Sequence, residues 1–135
     1  MAISLSNLVT TGKQINVQFP GLEGFEVTLG YVSREELQKI RKEATQISFD
    51  KKTRQPVEEL DEVKFTELYT SKTVLGWKGL KLKYLKELMV VDLGDLDEDE
   101  ELPYSREQAL DLIKYSSVFD TWVSQTITDI SNFNK

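Results

Sequence analysis

Neither cysteine nor histidine occurs anywhere in the sequence. Without cysteine no disulfide framework can form, and a cytoplasmic life is the expectation. Without histidine there is no side chain whose ordinary pKa suits a general base near neutral pH, and no Ser-His or Cys-His nucleophile. Zinc sites built from nitrogen and sulfur donors are excluded by the same two absences. No apolar run approaches the length of about 20 residues that spans a bilayer, so no membrane partner is expected. The opening Met1–Leu8 lacks the basic region that precedes a secretory signal core. Carboxylate and lysine chemistry remains, but no pair has a spacing that specifies a site and no cofactor motif accompanies one. The chain is therefore read as a non-enzyme, with no catalytic, cofactor-binding or metal-ligating set.

What is present is an ordinary globular composition: 135 residues, 39% hydrophobic and 30% charged. The length predicts one domain over 1–135. The net charge of -6 has a local source. Asp92, Asp95, Asp97, Glu98, Asp99, Glu100 and Glu101 account for seven of the 23 acids; without them 17 basic residues face 16 acidic ones, a balance of +1. With no basic face outweighing that loop, no nucleic-acid partner is expected. Asp95–Asp99 begins like a calcium loop but fails at Glu100 and Arg106, where such a loop needs glycine and a bidentate glutamate. It reads as a solvated, mobile loop over 91–103, loosely paired with the preceding lysines.

The pattern along the chain predicts an α+β fold: a small N-terminal antiparallel sheet or hairpin packed with a mainly helical C-terminal two-thirds. Residues 1–32 are mostly strands. Ile15, Val17 and Phe19 alternate with polar residues, and Phe25, Val27 and Leu29 do so again beyond a loop at Pro20–Gly24. A weaker third strand is expected at Ile3–Val9. Residues 33–90 read as helices with a short hairpin. Ser33 and Glu36 form a capping box with Val32 and Leu37 as a hydrophobic staple, and Asp61 caps a second helix running to about Leu75. Between them Ile47–Phe49 and Arg54–Val57 make a hairpin with a basic tip of Lys51, Lys52 and Arg54, and Pro56 suits an edge. A short helix over Lys81–Met89 precedes the acidic loop. Residues 104–133 read as C-terminal helices, capped by Ser105 with Gln108 and by Ser117 with Asp120, and fraying from Asn132.

Two features are candidate contact surfaces. Trp77 stands between Gly76 and Gly79 with Lys78 beside it, where Gly76 fits the left-handed position after a helix. The tryptophan either docks into the core or anchors a partner. Phe119, Trp122, Val123, Ile127 and Ile130 form an apolar stripe on the last helix, which serves either the core or another subunit. Self-association through these two features is expected, making the chain a homo-oligomer.

The segments Phe25–Leu37, Phe49–Gln55, Gly76–Leu80, Pro103–Tyr104–Ser105 with its Ala-Leu helix, and Phe119–Val123 closing near Asn132–Phe133 occur in an order that resembles the tail assembly chaperones of siphovirus-like tailed bacteriophages. The resemblance covers most of the chain from about Phe25. It implies the short form of such a chaperone, working in the host cell cytoplasm and absent from the mature virion. The implied partners are the tape measure protein, a long and largely helical polypeptide, and the tail-tube protein that polymerises around it. A structural virion protein, such as a tail terminator or head–tail connector, is the alternative.

Overall fold

The computed structural model describes residues 3–10 and 12–134, with the backbone alone for residue 130. The fold is α+β, as the pattern predicts. A three-stranded antiparallel sheet is built from β1 (Gln14–Gln18), β2 (Glu26–Gly30) and β5 (Val74–Lys78), with β2 in the centre. Val17 lies opposite Val27 and Ile15 opposite Leu29, so the alternating apolar residues of both strands share one face. Val27, Leu29 and Phe25 on β2 and its approach are fully buried. The loop between β1 and β2 turns on Gly21 and Gly24, both at positive φ, and closes with Phe19 N–H donating to the Phe25 carbonyl at 2.9 Å.

Strand β5 departs from the expected helix end at Gly76. The second long helix, α3 (Glu62–Thr73), stops two residues earlier and passes straight into the sheet. Gly76 has no left-handed backbone; it sits in the strand opposite Thr28, and the positive φ belongs to Gly79. The reason is tertiary: β2 leaves one edge open, and Val74, Leu75 and Trp77 are β-branched, aliphatic and aromatic residues suited to it. An irregularity between Thr28 and Leu29 absorbs Leu75. Ile3–Val9 also differs from expectation, forming a single helical turn, α1 (Leu5–Leu8), instead of a strand.

The helix caps follow the sequence closely. Ser33 accepts from Glu36 N–H at the start of α2 (Arg34–Ala44), and Asp61 accepts from Lys64 N–H at the start of α3. Ser105 accepts from Gln108 N–H at α5 (Arg106–Tyr115). The last helix, α6 (Ser117–Thr128), is capped by Ser116, not Ser117: Ser116 Oγ accepts from Phe119 N–H and donates to the Leu88 carbonyl. Between β5 and α5, a 3-10 turn (Leu82–Tyr84) runs into the short helix α4 (Leu85–Leu88).

One core unites these elements. It holds Phe19, Phe25, Val27 and Leu29 from the sheet side, Leu80, Leu82, Leu85 and Leu88 from the middle, and Ala109, Leu112, Phe119, Val123 and Ile127 from the C-terminal helices. Phe133 also belongs to it, 4% exposed and packed on Tyr31 with ring centroids 5.1 Å apart. The expected fraying at Asn132 is thus corrected for Phe133, because a buried aromatic ties the chain end to the sheet.

The acidic loop is exposed, as expected, but it is fastened rather than free. Leu82 N–H donates to the Glu100 carbonyl, Lys83 N–H to the Glu98 carbonyl and Leu102 N–H to the Leu80 carbonyl, at 2.7–3.0 Å. Ion pairs from Lys83 to Asp99 and from Lys86 to Glu98 lie over this seam. Both are surface pairs and add little to stability; the backbone bonds hold the loop.

Between α2 and α3 the chain leaves the body as a hairpin, β3 (Thr45–Phe49) with β4 (Pro56–Leu60), forming a separate two-stranded sheet. Except for Thr45, every residue of both strands is exposed.

Candidate functional site

The residues singled out by sequence fall into two places, and neither is a free apolar surface. On α6, Phe119 and Val123 are fully buried and Ile127 is 4% exposed. Trp122 is half-buried, with its ring 4.7 Å from Phe19 and 5.9 Å from Phe119. Phe25 completes this cluster, stacked on both Phe19 and Phe119. These side chains meet the loop between β1 and β2, so the stripe serves the core of its own chain. The Ile130 side chain lies outside the described residues. An apolar stripe announces a buried face but not what buries it.

Trp77 is opposite Val27 across the sheet, which turns its ring to the core side of β5. It packs edge-on against Tyr104 at 5.1 Å, and its indole N–H donates to the Leu102 carbonyl at 2.9 Å. Both docking interactions fasten the chain that returns from the acidic loop. Lys78 is exposed and pairs with Glu26 on β2 at 3.1 Å.

Tyr104, held by Trp77, forms one wall of a cleft between α3 and α5. The cleft measures about 340 Å³ and is lined by Leu68, Thr70, Val74, Tyr104, Ala109 and Leu110, with Glu67, Arg106 and Glu107 at its margin. Tyr104 Oη donates to the Val74 carbonyl at 2.8 Å, which fixes the wall. Thr70 Oγ1 is buried here without a hydrogen-bond partner among the described residues. A hydroxyl buried without a partner costs roughly 1–3 kcal/mol. Leu68 and Leu110 follow from helical spacing. Their convergence required knowing that α3 and α5 are neighbours, which no local pattern states.

A second cleft, about 550 Å³, lies among α2, α3, α5 and α6. It holds Arg41, Tyr69, Lys114, Asp120 and Ser124. Burial raises the Asp120 carboxyl above its ordinary 3.8. Burial chiefly, and the nearby Asp120 charge in part, push the Tyr69 phenol above 10.0, against a lowering hydrogen bond with Ser124. Tyr69 therefore stays a protonated donor near neutral pH, and Asp120 is the single carboxylate lining this cleft. The arrangement suits a polar contact better than proton transfer, which needs partners with opposed shifts. Among the described residues no group of acids is placed to hold a metal ion, and no helix is long and apolar enough to cross a membrane.

The N-terminal turn and the hairpin are the apolar surfaces that the sequence reading passed over. Ile3, Leu5, Leu8 and Val9 are exposed around α1, and Ile47 and Phe49 are exposed on β3. Alternation in Ile47–Phe49 signalled a strand; nothing local signalled that the body would leave its apolar face uncovered.

The YdaY prophage protein family matches over residues 32–135, from the chain entering α2 through α6. Strands β1 and β2 precede the matched region. Neither a curated relative nor a solved structure matches the chain. The match takes in all of the helical body, the hairpin and β5, and on that extent the chain belongs to the YdaY prophage protein family and is phage-derived.

Proposed function

We propose that this chain is a non-enzymatic phage tail assembly chaperone that keeps the tape measure protein soluble and assists the tail-tube protein in assembling around it. It acts in the host cytoplasm, leaves before the virion is mature, and corresponds to the short form of such chaperones. The observation that carries the reading is the ordered set of segments from Phe25 to Phe133, in a chain of phage origin. The cleft between α3 and α5 supports it. Helix recognition needs an apolar groove between rigid elements with polar groups at its margin, and Leu68, Val74, Tyr104 and Leu110 between Glu67 and Arg106 have that character. Trp77 contributes by bracing Tyr104, and Lys78 adds a surface charge on the same strand.

Co-expression with a tape measure fragment tests the proposal. The fragment should become soluble and co-purify, and Leu110→Lys in the cleft should abolish the co-purification while the chain stays folded. A fragment that remains insoluble beside a folded wild-type chain refutes it. The projecting hairpin with its basic Lys51, Lys52 and Arg54 tip favours the second reading, a structural virion protein whose tips line a ring. Mass spectrometry of purified particles separates the two: stoichiometric presence belongs to the virion protein, absence to the chaperone.

A further inference from the structure

No residue between Leu88 and Ala109 is fully buried, although those two are, at 3% and 1% exposed. Residues 89–108 therefore lie on the core without entering it. Both ends of the excursion are pinned. Ser116 Oγ donates to the Leu88 carbonyl at 2.7 Å, and Ser105 Oγ accepts from Gln108 N–H at 3.0 Å where α5 begins. Between the pins, residues 89–104 form one strap.

The strap is fastened mainly along its return. Lys81 and Glu101 form an antiparallel bridge, flanked by Leu82 N–H on the Glu100 carbonyl and Leu102 N–H on the Leu80 carbonyl. The Trp77 indole N–H holds the Leu102 carbonyl. The ion pairs over this seam are exposed and screened by salt. The five successive acids Asp97–Glu101 offer no apolar side chain to bury. A segment with exposed backbone bonds and little buried apolar surface opens at lower cost than the core beneath it. Yet its last residue is Tyr104, which packs on Trp77, bonds to the Val74 carbonyl and walls the α3–α5 cleft. The remaining lining residues belong to α3, α5 or the buried start of β5, so Tyr104 is the one wall that the strap supplies.

We propose that residues 89–104 are a latch that opens as a unit while the core stays closed, and that its opening withdraws Tyr104 and dismantles the cleft. Opening breaks the seam, the indole bond and the Tyr104 bond to Val74. It leaves the stack of Phe19, Phe25 and Phe119 untouched. The acids stay in water in both states, so the apolar surface newly exposed is confined to Leu102, Tyr104 and the ring of Trp77 that they cover. A closed latch presents a complete cleft, and an open one releases what the cleft holds. That a tape measure protein is what it releases rests on the chaperone reading; the latch itself does not.

The test uses the full chain, whose lack of cysteine makes any introduced thiol unique. Thr70 lines the cleft and is 2% exposed, so the thiol of Thr70→Cys should react with a small maleimide only when the wall opens. Trp77→Phe keeps an aromatic ring and removes the bond to Leu102. It should speed that labelling on the order of five-fold, the change that one hydrogen bond makes in an equilibrium. Labelling of Val123→Cys, fully buried on α6 outside the cleft, should not change. No acceleration at position 70, or equal acceleration at 70 and 123, overturns the latch. A lock supplies the second test. Lys81 and Glu101 form a non-hydrogen-bonded pair, for which Cα atoms lie about 4.5 Å apart, within disulfide reach. Oxidised Lys81→Cys/Glu101→Cys should slow amide exchange at Leu82 and Leu102 and slow the release of a captured tape measure fragment, relative to the same chain reduced. Equal release from the two forms overturns the latch. A wild-type chain that captures no fragment refutes the chaperone reading instead, and the labelling and exchange results still decide the latch.

Discussion

Replacing Ser116 with alanine should destabilise the chain far more than removing any other serine cap. Ser116 is fully buried. Its Oγ accepts from Phe119 N–H at 3.0 Å and donates to the Leu88 carbonyl at 2.7 Å, so one hydroxyl caps the start of α6 and closes the end of α4. Loss of an N-cap costs typically about 1 kcal/mol. The Leu88 carbonyl would then be left in the interior without a donor, at a further cost of about 1–3 kcal/mol. Ser116→Ala should therefore cost about 2–4 kcal/mol in total. In a chain of this length that is a fall in Tm on the order of 10 °C.

Thermal and urea unfolding followed by circular dichroism measure this directly, with two controls. Ser105→Ala removes an exposed cap with one bond to Gln108 N–H, and should cost about 1 kcal/mol. Ser117→Ala, at the exposed neighbour where the sequence pattern places the cap, should stay within about 0.5 kcal/mol. Equal losses for Ser116→Ala and Ser105→Ala would refute the role of the buried carbonyl. A larger loss at Ser117 would refute the cap assignment itself.

Gly79→Ala should cost at least about 3 kcal/mol, since φ is +73° and the new Cβ would lie 2.0 Å from the Gly24 carbonyl oxygen. Gly94→Ala, at φ +57° with open space around it, should cost only about 1–2 kcal/mol, and urea midpoints compare the two. Phe133→Ala should cost about 3–5 kcal/mol if its ring is a core element packed on Tyr31; a loss under about 1 kcal/mol would mean that the chain end frays. Asp120 has a raised folded-state pKa, so the folded chain binds its proton more tightly than the unfolded one. Its contribution is favourable below the ordinary 3.8 and is lost as pH rises through the folded value. Asp120→Asn should remove that falling segment from the stability-versus-pH curve, and an unchanged curve refutes the assignment.

Sequence reading succeeded where structure is decided within a few residues. Ser33, Asp61 and Ser105 each find their N–H three residues on, so those helix starts were legible. Alternation likewise gave β1, β2 and the β3–β4 hairpin. It failed where a distant partner decides. Leu75 keeps the helical spacing of Phe65, Leu68 and Tyr69, yet an open edge on β2, more than forty residues earlier, draws Val74, Leu75 and Trp77 into a strand. The local pattern places the last cap at Ser117; the bond to the Leu88 carbonyl selects its neighbour Ser116 instead. The candidate site shows the same division. Trp122 and Trp77 were legible as anchors, but Phe19 and Tyr104, which occupy them, come from elsewhere in the chain.

That division bears on where binding surfaces can lie. Once Phe119, Val123 and Ile127 close over Phe25 and Phe19, the largest aromatic surfaces are committed to the chain itself. A partner would then have to dislodge them at a cost comparable to unfolding the core, because each large apolar side chain contributes roughly 1.5–3 kcal/mol when buried. Surfaces outside the core carry no such penalty. The α3–α5 cleft already has a wall fixed by the hydrogen bond from Tyr104 to the Val74 carbonyl. Preorganised sites of this kind bind without first breaking the interactions that fold the chain. Under the proposed chaperone reading, a client held only at such peripheral sites could be released while the core stays closed.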